Sequence, residues 1–217
     1  MKNICLFLGM ILIIISSCTK DVTQENNTTV INKIKIGEPD PSITIKYINP
    51  DTTLESYYQE LNFPIDINSD GINDFDISAY CNYIFGGSVL QQCRLRIKTL
   101  NNDSYILTDS IYPSATFDAN NTFVSQSLVD SLYPKVIYKD SIITINDMWK
   151  KGDFNLLSSN GNLLPPNGSG YTTYLGAWKD LDQKYVAIRY KNNLGWIKIG
   201  ILYNKYLKIY EYALSNQ

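Results

Sequence analysis

Phe75-Asp76-Ile77-Ser78-Ala79-Tyr80-Cys81-Asn82-Tyr83 and Val89-Leu90-Gln91-Gln92-Cys93-Arg94-Leu95-Arg96-Ile97 are two runs in which side chains of opposite character alternate. Alternation with a period of two marks a strand with one buried face. Phe75, Ile77, Ala79, Cys81 and Tyr83 fall on one face of the first run. Val89, Gln91, Cys93, Leu95 and Ile97 fall on one face of the second. An odd loop, Gly86-Gly87-Ser88 after Phe85, sets Ile77 opposite Ile97, Ala79 opposite Leu95 and Cys81 opposite Cys93. A two-residue loop would turn the apolar face against Arg94 and Arg96, because a slip of one residue reverses every side chain. The runs therefore predict an antiparallel hairpin with a cysteine on each strand at bridging distance.

The same texture extends outward in both directions. From Val30 onward, short alternating segments are broken by Asn, Gly, Pro and Asp, which is the pattern of an all-β antiparallel sandwich, jelly-roll-like or immunoglobulin-like. Val30–Ile36, Ile43–Ile48 and Leu61–Ile67 precede the hairpin as candidate strands. Tyr105–Thr108, Lys135–Tyr138 and Phe154–Leu157 are strand candidates in a less legible middle, where Ser125–Leu132 suggests one helical turn and Leu54–Leu61 a short helix. Gly161 to Gly170, with Pro165-Pro166, reads as a loop. Near the end, Tyr185–Lys191 and Leu194–Leu202 flank Asn192-Asn193, a pair that tolerates left-handed turn geometry. That register faces Val186 to Ile199 and sets Arg189 beside Trp196. Tyr206–Leu214 returns as a third strand, with Leu207 and Ile209 inward and Tyr210 and Tyr212 sharing the outer face with Trp196 and Lys198.

Between two candidate strands lies Asp66-Ile67-Asn68-Ser69-Asp70-Gly71-Ile72-Asn73-Asp74. Calcium takes six to eight oxygens gathered by a tight turn. Asp66, Asn68 and Asp70 offer side-chain oxygens at alternate positions, Ile72 its carbonyl, and Asp74 a closing carboxylate. Gly71 permits the bend. The spacing fails as an EF-hand, whose twelfth position would be Ile77. It resembles the calcium hairpin loop of integrin-like propeller repeats and of many secreted bacterial β proteins, whose ligand set closes at the ninth position. One copy is present, so a propeller is not expected. A metal-free turn rich in Asn and Asp is the plainer alternative. Against it, three close carboxylates repel one another without a cation.

Met1 and Lys2 precede an apolar run, Ile4 to Ile15, that suits a signal-peptide core and is short for a membrane span. Ile15-Ser16-Ser17-Cys18 resembles the lipobox of bacterial lipoproteins. The resemblance implies a signal peptide over 1–17 and acyl chains on Cys18, which make membrane attachment stable. Thr19-Lys20-Asp21 partly resembles the signal that sends some lipoproteins to the outer surface of the outer membrane. Residues 18–40 then read as the lipidated cysteine and a flexible tether, and 41–217 as one β domain. An exported chain meets an oxidising compartment, so Cys81 and Cys93 are expected to form a disulfide; two buried free thiols are the alternative. Tyr185-Val186-Ala187-Ile188-Arg189-Tyr190, Leu194-Gly195-Trp196-Ile197-Lys198-Ile199 and Ile209-Tyr210-Glu211-Tyr212-Ala213 resemble the end of a family of secreted bacterial β domains that also carry an early aspartate-rich loop. That likeness implies a fold and an exported location, and no catalytic residues.

Composition narrows the function. The chain has 217 residues, 19 basic and 21 acidic side chains, a net charge of -2 and no histidine. No basic excess points to nucleic acid, and Ser-His, Cys-His and His-ligated metal chemistry are excluded. A glycosidase needs two carboxylates set across a cleft. The few glutamates, Glu25, Glu38, Glu55, Glu60 and Glu211, show no such pairing. Arg189, Trp196, Lys198, Tyr210 and Tyr212 form the candidate ligand strip, since aromatic rings beside polar groups can stack on sugars. The alternative is a cross-strand ladder with Arg189 stacked on Trp196. The expectation is a lipid-anchored, calcium-stabilised, non-catalytic binding module of the envelope, taking a glycan or an envelope protein. A structural assembly subunit and a calcium-dependent polysaccharide hydrolase are the alternatives.

Overall fold

The computed structural model describes residues 31–55, 58–85, 89–118, 122–163 and 170–216. The signal segment with Cys18, the loop Gly86-Gly87-Ser88 and Pro165-Pro166 lie outside them. No helix occurs among the described residues. The strands are β1 (Lys33–Lys35), β2 (Ile43–Leu54), β3 (Leu61–Ile65), β4 (Phe75–Phe85), β5 (Val89–Thr99), β6 (Ser104–Asp118), β7 (Phe123–Pro134), β8 (Ile142–Thr144), β9 (Trp149–Lys150), β10 (Asp153–Leu163), β11 (Tyr171–Leu175), β12 (Lys184–Tyr190), β13 (Asn193–Leu202) and β14 (Tyr206–Ser215).

All pairings are antiparallel, and one continuous path of strands makes both layers of a sandwich. One layer runs β2-β14-β13-β12 to the start of β6; the other runs from the end of β6 through β11, β10, β5 and β4 to β3. β6 joins the two: Ser104–Ile106 pairs with β12 and Ser114–Asp118 with β11. The main core lies between the layers. It takes Phe75, Ile77, Leu95 and Ile97 from one side and Val186, Ile188, Ile197, Ile199 and Ile209 from the other. Burial of these alternate residues is what selects the register. The hairpin pairs as its sequence requires: Ile77 with Ile97, Ala79 with Leu95 and Cys81 with Cys93.

A second, smaller core lies on the far side of the β12–β13–β14 layer. Ile34, Ile36, Ile137 and Ile143 pack there on Tyr185, Ala187, Leu194 and Trp196. The β1–β8 pair is part of this cover. Residues 31–36 therefore belong to the folded unit and not to a tether reaching residue 40: Ile36 is fully buried and its N–H donates to the Ser141 carbonyl at 2.9 Å. The strand within the expected Val30–Ile36 segment spans Lys33–Lys35, and Val30 lies outside the described residues.

Other expectations are corrected by the same packing. Ser125–Leu132 is extended in β7, since pairing along β6 outweighs its local turn preference. Lys135–Tyr138 makes a single bridge, Ile137 to Tyr185, and no strand. The β12–β13 turn lies at Lys191-Asn192, with Tyr190 opposite Asn193 and Val186 opposite Ile197. Lys191 takes the left-handed conformation, at φ 54°. The slip from the expected register is two residues, so each residue keeps its face. Gly195 allows close approach of β14: a Cβ there would stand 2.1 Å from the Ala213 carbonyl oxygen.

Candidate calcium loop and binding surfaces

The β3–β4 connection is a run of bends from Ile67 to Ile72, with Ser69 at φ 65° and Gly71 at φ 88°. Its acidic side chains organise the backbone. One Asp66 oxygen accepts from the Ser69 and Asp70 N–H groups at 2.6 and 3.2 Å, and the other from Gly71 N–H at 2.8 Å. Asp70 accepts from Ile72 N–H at 2.8 Å and from the Asn68 amide at 2.9 Å. Asp74 is buried; one oxygen accepts from Ile67 N–H at 3.0 Å and the other from Asn101 Nδ2. The Ile72 side chain is exposed.

Electrostatics set Asp66 and Asp74 apart. Burial resists ionisation of Asp66, but its backbone donors and Lys46 outweigh that and hold its carboxyl below the usual range. Burial pushes Asp74 up, and the nearby charges of Asp70 and Asp66 push the same way. A cation here would remove that repulsion. The donors are hard oxygens, as calcium prefers. Among the described residues, no three acidic, Cys or His side chains are grouped as a metal cage; Asp66 and Asp70 are turned towards backbone N–H groups.

Cys81 and Cys93, buried and directly opposed on β4 and β5, are joined by a disulfide.

The aromatic strip is dispersed. Trp196 is fully buried in the second core, edge-on to Tyr185 at 6.4 Å, and its Nε1 donates to Glu211 at 3.3 Å. Tyr212 is on the other side of the sheet, packed against the main core. The cause is a bulge: Lys198 pairs with Glu211 but Ile199 with Ile209, so one extra residue on β14 reverses the alternation beyond it. Arg189 does not stack on Trp196. Its guanidinium lies 4.1 Å from the Tyr105 ring centre and 5.7 Å from that of Trp149. Lys198 and Tyr210 do stay together, with the Lys198 ammonium 5.6 Å from the Tyr210 ring. Tyr210 donates to Asp182; burial first, and then this bond, push its hydroxyl up.

Among the acids a hydrolase would need, Glu60 pairs with Arg96, which also holds Asp153 at 2.9 Å. A cation thus stands between the two acids. The sequence reading also missed a cavity of about 250 Å³ beside the loop. Thr44 and Lys46 of β2, Asn68 and Ser69 of the loop, Asn193, Ser215 and Asn216 line it, with Ile67 and Leu214. Lys46 Nζ donates to Ser69 Oγ and, at 3.3 Å, to the Asp66 carbonyl. Thr44 Oγ1 donates to Asn216 Oδ1 at 2.6 Å. These residues are far apart in sequence, and nothing local signals their meeting.

No protein-family model, curated protein or solved structure matches the chain.

Proposed function

We propose that the chain is an exported module of a bacterial outer membrane, lipid-anchored through Cys18, that binds a saccharide without acting on it chemically and is stabilised by calcium in the Asp66–Asp74 loop. The cavity beside that loop carries the proposal. Its polar lining is almost wholly neutral: three hydroxyls and three amides against one ammonium, beside the buried apolar Ile67 and Leu214. Such groups donate to and accept from sugar hydroxyls, and the volume suits a small ligand, below the usual range of about 300–1,000 Å³. Asp66, Asn68, Asp70 and Asp74 would hold the ion with side-chain oxygens and Ile72 with its carbonyl; the ion would fix Asn68 and Ser69, two walls of the cavity.

Screening the full chain in detergent on a glycan array tests this. The expected result is binding to a restricted set of glycans, lost in Asn193→Ala and in Lys46→Ala and retained in Lys198→Ala. No binding to any glycan, or binding that neither cavity variant weakens, would overturn the assignment.

A further inference from the structure

β7 is a twelve-residue strand that pairs with β6 and, among the described residues, with no other strand. The Pro134 end of β7 is buried, its carbonyl accepting from Trp178 Nε1 at 2.8 Å. Over the exposed residues Phe123–Leu128 no second strand pairs with the far edge among the described residues, so backbone N–H and C=O groups there are open to an incoming strand. Folded proteins normally blunt such an edge with lysine, proline, bulges or shortness. β7 has no Lys or Arg, its one proline is its last residue, and Asp130 is its one charge. Its pairing shifts register near each end, leaving Ser125–Asp130 opposite Ile111–Thr116 without a bulge. Phe123, Val124, Leu128 and Leu132 are exposed on it, and Leu128, in that regular stretch, is 71% exposed.

We infer that β7 is a homotypic interface, at which a second copy of this chain adds its own β7 antiparallel to the first. Self-pairing across a two-fold axis places the same patch on both partners. Centred on Leu128, it sets Leu128 against Leu128, and Asp130 of each copy against Gln126 of the other. The strand's single charge thus never meets its like, whereas an isolated Leu at that exposure gains nothing from water. The two β6–β7 ribbons would join edge to edge and continue the sheet from one molecule into the next.

Sedimentation velocity on the full chain in detergent, over a range reaching high micromolar protein, tests the interface. The expected result is a reversible monomer–dimer equilibrium that Leu128→Lys shifts to monomer, with melting temperature and far-ultraviolet circular dichroism unchanged. Leu128→Cys should cross-link to a covalent dimer under mild oxidation, and Gln126→Cys, away from the two-fold axis, should not. A chain that stays monomeric at every concentration would overturn the inference, as would a dimer untouched by Leu128→Lys. Equal cross-linking of the two cysteine variants would overturn the register.

Discussion

Asp76 lies on the face of β4 that points away from the main core, opposite Lys98 in the ladder. Burial raises its carboxyl above the usual range, and Glu60 raises it further against the pull of Lys98 and Arg96. Glu60 is displaced the other way, chiefly by its bond to Arg96. The sign for Asp76 follows from linkage. A carboxyl whose folded value exceeds its unfolded value costs stability when ionised, and the cost fades as pH falls through the folded value. Asp76→Asn should therefore raise the melting temperature at pH 7, by about 1–3 °C for a partly exposed charge. That gain should vanish below about pH 4. Melting curves of both proteins across this range check it, and a gain that persists in acid would contradict the burial argument. Trp196 carries the contrary lesson at this scale. Its ring was legible as an aromatic on a sheet face, but exposure is a property of what lies above that face.

The β4–β5 hairpin was the most legible element, because its two apolar faces, its loop parity and its cysteines all select one register. The cysteines are 12 residues apart. Closing a loop of that size restricts the unfolded chain by roughly 3 kcal/mol, or about 6–12 °C in a domain of this length. The Cys81→Ala/Cys93→Ala double variant should lose stability of that order, and adding reductant should move the native protein towards the variant and leave the variant unmoved. A variant that melts within about a degree of the native protein would show the link to be energetically idle. β14 shows where element-level reading stops. Leu207 and Ile209 face the core as alternation requires, but the bulge opposite Lys198–Ile199 sends Tyr212 to the core side as well. Nothing in Ile209-Tyr210-Glu211-Tyr212 announces that extra residue. β7 misled for a related reason: its serines and Gln126 are poor strand signals alone and become a strand by pairing with β6.

For the molecule as a whole, calcium would act by binding the folded chain and not the unfolded one. At about 1 mM calcium and a dissociation constant of about 0.1 mM, typical of extracellular modules, linkage gives roughly 1.4 kcal/mol. Removing calcium with a chelator should lower the melting temperature by about 3–6 °C, and Asp70→Ala should abolish that response. Identical melting of both proteins with and without calcium would exclude calcium binding at the loop. The layered plan explains why such a loop is tied to the rest: Asp74 accepts from Asn101 beyond β5, and Lys46 of β2 reaches the loop from the other layer. The strand class, the hairpin register, the cysteine pair and the oxygen-rich bend are written in the chain locally, because each depends on neighbours a few residues away or directly across one turn. Folding in three dimensions packs Ile34 and Ile36 into one core with Trp196, opens a polar cavity beside the loop, and leaves β7 paired, among the described residues, with β6 alone. Those outcomes depend on which distant segments meet, and side-chain alternation fixes the faces of a strand without fixing what is laid over them.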